Sequence, residues 1–139
     1  MYSAKWFDKA HAQDAFALRL EVFVQEQHFE NEFDEIDEYA DHVVLYDEKT
    51  PIAVGRCYVQ QGSVWRIGRL AVKKAWRKKG IGSMIMQELE AHCRQRGATF
   101  LVLDAQVQAA PFYASLGYEK AGQEHMDEHC PHVFMQKSL

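Results

Sequence analysis

A strand, a basic loop with two glycines, an amphipathic helix and a fully apolar strand follow one another in the second half of the chain. The segment 64–72 predicts the first of these strands. In the helix after the loop, apolar residues recur every four positions on one face, at Ile81, Ile85, Leu89 and Cys93. ATFLVLDA at 98–105 is a continuous apolar run, which is typical of a strand buried on both faces. A crossover helix between two strands favours a sheet whose faces are covered by helices.

The remaining elements extend this unit into a mixed sheet. A helical pattern over 8–26 precedes three strands, and the short turns between those strands make them antiparallel neighbours. A short helix over Ala109–Leu116 ends at Gly117. Besides the apolar run, strands are expected at His42–Tyr46, Ile52–Val59, Val64–Val72, Tyr118–Ala121 and Val133–Gln136. We therefore predict one domain over residues 1–139, of α/β (α+β) class, with a mixed central β-sheet flanked by helices.

The composition is that of an ordinary globular domain, with 47% hydrophobic and 26% charged residues. No apolar run approaches the roughly 18 residues that a membrane span needs, and the N-terminal MYSAKWFDKA does not have the pattern of a secretory signal. Cys57, Cys93 and Cys130 are odd in number and have no CxxC spacing, which favours neither a disulfide framework nor a zinc knuckle. We expect a cytoplasmic protein with no membrane partner.

Acidic and basic residues are strongly segregated along the chain. Residues 26–41 contain eight acids and no Lys or Arg, and we expect this stretch to be a loop with at most one helical turn. Residues 66–79 contain seven bases and no acid. Two solvated surface segments would explain the charges alone. The overall net charge of −4 and the lack of a groove-reading helix argue against a nucleic-acid partner for the basic segment.

The basic segment leads into the amphipathic helix through two glycines. The free N–H groups of a helix's first turn, together with the helix dipole, form an anion-binding site. Gly80 and Gly82 lack the Cβ atoms that would keep a pyrophosphate away from this backbone. The common phosphate motifs do not fit, because no lysine follows Gly82 and Ile85 stands where the dinucleotide fingerprint requires glycine. The remaining pattern, Arg-x-x-Gly-x-Gly at 77–82, predicts a compact phosphate-binding loop.

A second motif, QVQAAPFYASLGYEKAG, occupies residues 106–122. It combines an amide residue, an alanine, an aromatic-Tyr pair and a Leu-Gly-aromatic turn, at Gln106, Ala109, Phe112–Tyr113 and Leu116–Tyr118. With the first motif and the Leu-Ala-Val before it, this order resembles the GNAT superfamily of N-acetyltransferases over nearly the whole chain. RLEVFVQEQ at 19–27, with the acids after it, is similar to a branch of small, mostly uncharacterised bacterial members. One departure is Gln106, because many members have Asn there.

The resemblance implies acetyl-CoA as cosubstrate. The backbone of Leu70, Ala71 and Val72 would pair with pantetheine as an added strand, and one of its N–H groups would stabilise the oxyanion. The pyrophosphate would bind the loop and the start of the helix, at Arg77, Lys78, Lys79, Gly80, Ile81, Gly82 and Ser83. The second motif would contribute Gln106, Ala109 and Phe112. Tyr113 would be the general acid, because a phenol can protonate the departing thiolate, or it would only hydrogen-bond pantetheine or water.

The general base has several candidates in the acidic stretch, which in this family contributes to the acceptor side. They are Glu26, Glu32, Asp37, Asp41 and His42, of which Glu26 is preferred. The stretch as a whole is expected to attract a cationic amine. The tail HMDEHCPH at 125–132 has metal-ligating side chains, but Pro131 and the strand after it favour a plain loop, so no metal is expected.

Two functions stay open. The first is acetyl transfer to a primary amine of a small molecule or protein by direct attack on the thioester. The second is a catalytically silent acyl-CoA-binding module that acts as a sensor or partner subunit. The sequence does not identify the acceptor, and it leaves the oligomeric state open, with a homodimer as one option.

Overall fold

The computed structural model describes all residues, 1–139, and they form one eight-stranded β-sheet with helices on both faces. The strand order is β1-β2-β3-β4-β5-β8-β6, with β7 paired to β8. The bounds are β1 Tyr2–Phe7, β2 Asp41–Asp47, β3 Thr50–Gln61, β4 Val64–Val72, β5 Phe100–Gln106, β6 Glu119–Lys120, β7 His125–Asp127 and β8 Cys130–Ser138. All neighbours are antiparallel except β4 and β5, which are parallel. The predicted mixed sheet is confirmed.

Three α-helices cover the sheet. Helix α1, Gln13–Arg19, continues as a π-helical segment, Leu20–Glu26, and α1 packs on β2, β3 and β4. Helix α2, Ile81–Gln95, lies on the opposite face, and α3 is the short helix Ala110–Ser115. Short 3-10 turns occur at Lys9–His11, Glu35–Glu38, Lys74–Trp76 and Val107–Ala109. The turn at Glu35–Glu38 is the one helical turn that the acidic stretch was expected to allow.

Each face of the sheet has its own hydrophobic cluster. The larger cluster of 21 buried residues joins α2 to the sheet and includes Ile81, Ile85, Leu89 and Cys93, the four residues of the predicted apolar face. The smaller cluster of 10 joins α1 and its π-helical extension to β2 and β3. The crossover between β4 and β5 therefore buries its apolar stripe as the sequence predicts.

The strands at the two ends of the chain differ in detail from the prediction. Strands β1 and β7 were not predicted, and β8 begins at Cys130 and extends beyond Gln136 to Ser138. β1 is an edge strand in which most side chains are exposed or half-buried, so it shows no apolar run. β7 has three residues and pairs only with β8. Pairing between strands, rather than apolar content, creates both elements.

The parallel strands β4 and β5 separate halfway along β4. Their pairing ends at Ile67 and Leu103, although β4 continues to Val72. On the other side of β4, Gly68 pairs with Arg56 while Ala71 pairs with Val54, so β4 contains one extra residue. Arg69 in this bulge has φ +53, and a bulge bends the strand that contains it. The edge of β4 over residues 68–72 therefore has no strand beside it, and a cleft opens there.

Candidate active site

A cavity of about 560 Å³ fills the space where β4 and β5 separate. Its walls come from β4, the start of α2, α3 and the π-helical segment. It is lined by thirteen of the predicted site residues: Leu70, Ala71, Val72, Arg77, Lys78, Gly80, Ile81, Gly82, Ser83, Gln106, Ala109, Phe112 and Tyr113. Lys79 lies beside it, exposed, with its ammonium group over the Trp76 ring. Two motifs about thirty residues apart in sequence thus meet at one cleft.

The loop before α2 presents a row of free backbone donors. None of the N–H groups of residues 78–83 bonds to another protein group, and the first amide of this region that does so is that of Met84, 3.2 Å from the Gly80 oxygen. Lys78 and Gly80 have φ values of +63 and +78, which turn the chain before the helix starts. Six consecutive unpaired amides at a helix N-terminus form a strong site for an anion.

The two glycines of the loop differ in what they allow. A Cβ on Gly80 would meet nothing within 4 Å, so this position needs glycine for its positive φ. A Cβ on Gly82 would lie 3.1 Å from the Phe112 ring, so a larger residue here would push this ring away and glycine allows the close packing. Gly82 therefore joins the two sequence motifs through its contact with Phe112, in addition to leaving the helix N-terminus uncovered.

Arg77 is paired with Glu26. Its two terminal nitrogens lie 2.5 and 2.7 Å from the Glu26 carboxylate oxygens, and its Nε donates to the Val72 carbonyl at 3.0 Å. This hydrogen-bonded pair lowers the pKa of Glu26. Glu26 does not line the cavity. The choice of Glu26 as general base finds no support in this geometry, because a lowered pKa and two engaged oxygens make a carboxylate a poor proton acceptor.

Tyr113 is almost fully buried and lines the cavity, and its ring packs against Phe112 and Tyr118. Its hydroxyl group makes no hydrogen bond to another protein group, which leaves it free for a ligand. Burial raises the pKa of Tyr113, so the phenol stays protonated at neutral pH. A general acid needs this protonation state.

Gln106 is held within the protein. Its Nε2 donates to Gln27 Oε1 at 2.8 Å, and its Oε1 accepts from Gln108 Nε2 at 2.6 Å. The side chain therefore ties β5 to the π-helical segment across the cleft. A contact between Gln106 and pantetheine would require one of these hydrogen bonds to be exchanged.

Three acids of the acidic stretch are paired with arginines, which reduces the charge that the stretch has left to attract a cationic amine. Arg19 bonds Glu32 and Asp37 at 2.9 and 2.8 Å. Two further arginines reach the same segment from the sheet, with Arg56 on Asp34 and Asp37, and Arg69 on Glu32 and Asp34. Three guanidinium groups thus balance three carboxylates, which the sequence did not reveal because the arginines come from three distant elements.

The buried members of this network differ in protonation. Burial alone would raise the pKa of Asp37, but Arg19 and Arg56 together outweigh it and lower the pKa to about 2. For Glu32, burial prevails over the opposing effects of Arg69 and Arg19, and the pKa is raised. Of the five base candidates, only Glu32 lines the cavity. Asp41 bonds His92 at 2.9 Å, and His42 is fully buried against the Asp37 carbonyl; neither lines the cavity.

His132 and Asp104 line the cavity and were not predicted as catalytic residues. His132 Nδ1 lies 2.9 Å from the Cys130 carbonyl oxygen, and since a carbonyl can only accept, Nδ1 carries the proton. In the neutral ring Nε2 then holds the lone pair, 4.0 Å from an Asp127 oxygen. Asp104 bonds His125 at 3.0 Å through one oxygen. His132 was visible in the tail motif, but only the pairing of β8 with β5 and β7 brings it to the cleft.

The metal-ligating side chains of the tail have separate contacts. His125 bonds Asp104, His129 packs on Phe29 with ring centroids 4.9 Å apart, and the Cys130 thiol lies near the Pro131 carbonyl. The group of side chains that comes within 4.8 Å lies elsewhere, at Asp41, Cys57 and His92. Both ring nitrogens of that histidine already bond protein groups, Asp41 and Arg96.

Comparisons with known proteins agree with this architecture. Residues 8–139 match the family model of the acetyltransferase (GNAT) domain. An uncharacterised N-acetyltransferase of Bacillus subtilis, YjcF, is 39% identical over 128 residues, which are 90% of this chain and 91% of that protein. The crystal structure of a Lactobacillus plantarum protein, assigned as an N-acetyltransferase, superimposes with a TM-score of 0.92 at 31% identity, covering 99% of this chain and 98% of the other.

A more distant structure shares the fold alone. An aminoglycoside 6′-N-acetyltransferase complexed with coenzyme A has a TM-score of 0.78 at 19% identity, with 98% and 96% of the two chains covered.

The sheet opens at a cleft that is lined by a loop of unpaired amides and by a buried tyrosine. This architecture is that of an acyl-CoA-dependent acyltransferase. The chain belongs to the GNAT superfamily, and it is an N-acetyltransferase by family. In the structure no helix combines the length and the apolar character that crossing a membrane requires.

Proposed function

We propose that this protein transfers the acetyl group of acetyl-CoA to a primary amine by direct attack of the amine on the thioester. The six unpaired amides of residues 78–83, in a loop beside a cleft that Tyr113 also lines, carry the proposal. They fit the pyrophosphate of CoA, with Lys78 and Lys79 adding positive charge. Ser83 and Gly82 lie in the first turn of α2, where the helix dipole favours an anion.

The pantetheine arm fits the unpaired edge of β4. An extended chain beside residues 68–72 would take the place that a continued β5 would occupy. Its amides would bond backbone groups between Leu70 and Val72 that β3 does not pair, and the Val72 carbonyl among them already accepts from Arg77 Nε. A free N–H of this edge would also donate to the thioester oxygen as negative charge develops there. The bulge at Arg69 supports this placement, because it turns β4 away from β5 and creates the gap.

The chemistry requires one proton donor and one proton acceptor. The amine nitrogen attacks the thioester carbon, the carbon–sulfur bond breaks, and the Tyr113 hydroxyl protonates the departing thiolate. We assign the proton acceptor to His132, because this residue lines the same cavity and its Nδ1 is committed to the Cys130 carbonyl, which leaves Nε2 as the nitrogen that can accept a proton. Glu32 is the remaining alternative, although Arg19 and Arg69 both bond its Oε2.

The test combines binding with turnover. CoA should quench or shift the fluorescence of Trp76, which lines the cavity, and acetyl-CoA with a panel of primary amines should release free thiol. Tyr113→Phe is expected to lower kcat by about 10²- to 10⁴-fold with the Kd of CoA changed less than about threefold. Tyr39→Phe, an exposed tyrosine outside the cavity, is the matched control. Tight CoA binding without turnover of any amine, unaffected by Tyr113→Phe, would favour the silent binding module.

A further inference from the structure

A second cavity of about 290 Å³ adjoins the CoA cleft on the side away from the phosphate loop. Six of its eleven lining residues also line the cleft, including Asp104 and His132. We call this second cavity the acceptor chamber; the residues that it alone contains are Asp34, Ile36, Arg56, Tyr58 and Arg66. A molecule in it would lie beside Asp104 and His132, which line both cavities.

Register places the chamber's floor on one face of the sheet. Arg56 pairs with Gly68, and Tyr58 pairs with Arg66, so all four lie on the same face of β3 and β4. Gly68 leaves the floor open, because a Cβ there would meet only Arg56 Nε, at 3.9 Å. The floor of the chamber is therefore formed by regular β3–β4 pairing and not by loops.

Two buried polar atoms on residues that line the chamber have no partner in the protein. They are Arg56 Nε, a donor on a side chain that is 96% buried, and Asp104 Oδ1, an acceptor. The terminal nitrogen Nη1 of Arg56 bonds Asp34 and Asp37, and the second Asp104 oxygen bonds His125. Buried donors and acceptors are normally paired, so an unpaired donor and an unpaired acceptor in one chamber indicate a polar ligand.

Arg66 is the cation of the chamber that no carboxylate compensates. Arg56 and Arg69 are neutralised by the acidic segment, whereas the only polar contact of Arg66 is to Gln60 at 3.5 Å. Its guanidinium group lies over the Phe134 ring, 5.5 Å from the ring centre. The His125 ring stacks on the same Phe134 ring, with the two ring centres 4.4 Å apart. An uncompensated guanidinium group held on an aromatic ring is well suited to bind a carboxylate.

We propose that the acceptor is an amino carboxylate, whose amine binds Asp104 Oδ1 beside His132 and whose carboxylate binds Arg66 and the Nε–H of Arg56. This proposal rests on the proposed acetyl transfer. Arg66 faces Val102 across the parallel pair, and Asp104 lies two residues further along β5. Strand geometry then places the Arg66 and Asp104 Cα atoms about 8 Å apart. That span suits a small amino acid better than a polyamine, whose second amine would meet Arg66.

The substrate test uses matched sets of amines that differ only in whether a carboxylate, an amide or neither is attached to the amine-bearing chain. α-, β- and γ-Amino acids, their amides and the corresponding decarboxylated amines are compared by thiol release from acetyl-CoA and by calorimetric binding to the CoA complex. We expect at least one amino acid to exceed its amide and its decarboxylated analogue by tenfold or more in kcat/KM and in affinity. Equal or better turnover of the decarboxylated amines, or of lysine side chains in peptides, would overturn the proposal.

The residue test uses Arg66→Gln, with Arg94→Gln, an exposed arginine on α2, as control. Arg66→Gln should raise the KM of the amino acid about tenfold, leave that of the decarboxylated amine unchanged and leave the Kd of CoA unchanged, which also shows that the variant is folded. CoA binding with no affinity for any amino acid would defeat this proposal and leave acetyl transfer standing. Absence of CoA binding in the unchanged protein would defeat both.

Discussion

At the scale of single residues, the arginines around the cleft differ in their partners, and the partners decide what each can do. Arg19, Arg56 and Arg69 bond the acidic segment, and carboxylates of that segment neutralise their charges. Arg77 is bonded to Glu26, which would compete with a phosphate that enters the loop. Arg66 has no carboxylate partner. Residue type alone made these five side chains look alike in the sequence.

The proton acceptor can be identified by comparing two substitutions. His132→Gln should lower kcat by about 10²-fold near neutral pH, and the loss should shrink at high pH, where the amine is already neutral without a base. Glu26→Gln should leave kcat unchanged and tighten CoA binding by about twofold to fivefold, because Arg77 no longer has a competing carboxylate.

Steady-state kinetics over a range of pH and a fluorescence titration with CoA measure both effects. Glu30→Gln, an exposed acid of the same stretch, serves as the control for Glu26. A large loss of kcat in Glu26→Gln, with His132→Gln active, would reverse the assignment.

At the scale of elements, the acidic segment is held to the sheet by charge more than by apolar contact. Asp37 is 2% exposed and bonds Arg19 and Arg56, which belong to α1 and β3. Its neighbour Glu32 is 4% exposed and bonds Arg19. Removing one partner from such a network leaves buried charges uncompensated.

Asp37→Asn should therefore reduce the free energy of unfolding by about 3–5 kcal/mol at pH 7. The pKa of Asp37 is lowered from 3.8 to about 2 on folding, so its contribution is fully present above pH 4 and is lost as the pH falls toward 2. The difference between the two proteins in urea unfolding should thus narrow over that range. Glu35→Gln, an exposed acid on the same turn, should change little. A difference that does not depend on pH would contradict the assignment.

The sequence predicted the elements with a clear apolar signal, such as the helical periodicity of α2 and the continuous apolar run of β5. Its two motifs also contain most of the predicted site residues that line the cleft. It did not predict β1 or β7, because a mostly exposed edge strand and a three-residue strand show no apolar pattern. It did not place His132, because that residue's position depends on the order of strands in the sheet and not on its neighbours in sequence. Likewise, the pairing of three acids with three arginines depends on contacts between residues that are 13 to 37 positions apart in the sequence.

At the scale of the whole molecule, one cleft separates the two halves of the sheet. β1 to β4 lie on one side and β5, β6, β7 and β8 on the other, and beyond Ile67 no β4–β5 pairing joins them. A ligand that bonds β4 and also contacts α3 and β5 would connect the two halves. We expect CoA to stabilise the protein as a whole for this reason.

CoA at 100 times its Kd should add about 2.7 kcal/mol to the stability, which for a chain of this length raises Tm by about 8 °C. A thermal melt followed by circular dichroism measures the shift. ADP, which has the pyrophosphate but no pantetheine, should give a smaller shift, and pantetheine alone should give the least, because the loop amides contribute most to binding. An equal shift with pantetheine would contradict the phosphate-binding role of residues 78–83.

The gap beside β4 also makes the cofactor a temporary part of the fold. If pantetheine occupies the missing strand position, CoA must separate from the edge of β4 at the end of each catalytic cycle before the next acetyl-CoA can bind. Whenever acetyl-CoA is scarce, the same vacant edge is open to a strand from another chain. Supply of the cosubstrate would then influence the tendency of the protein to associate with other chains, as well as its rate of turnover.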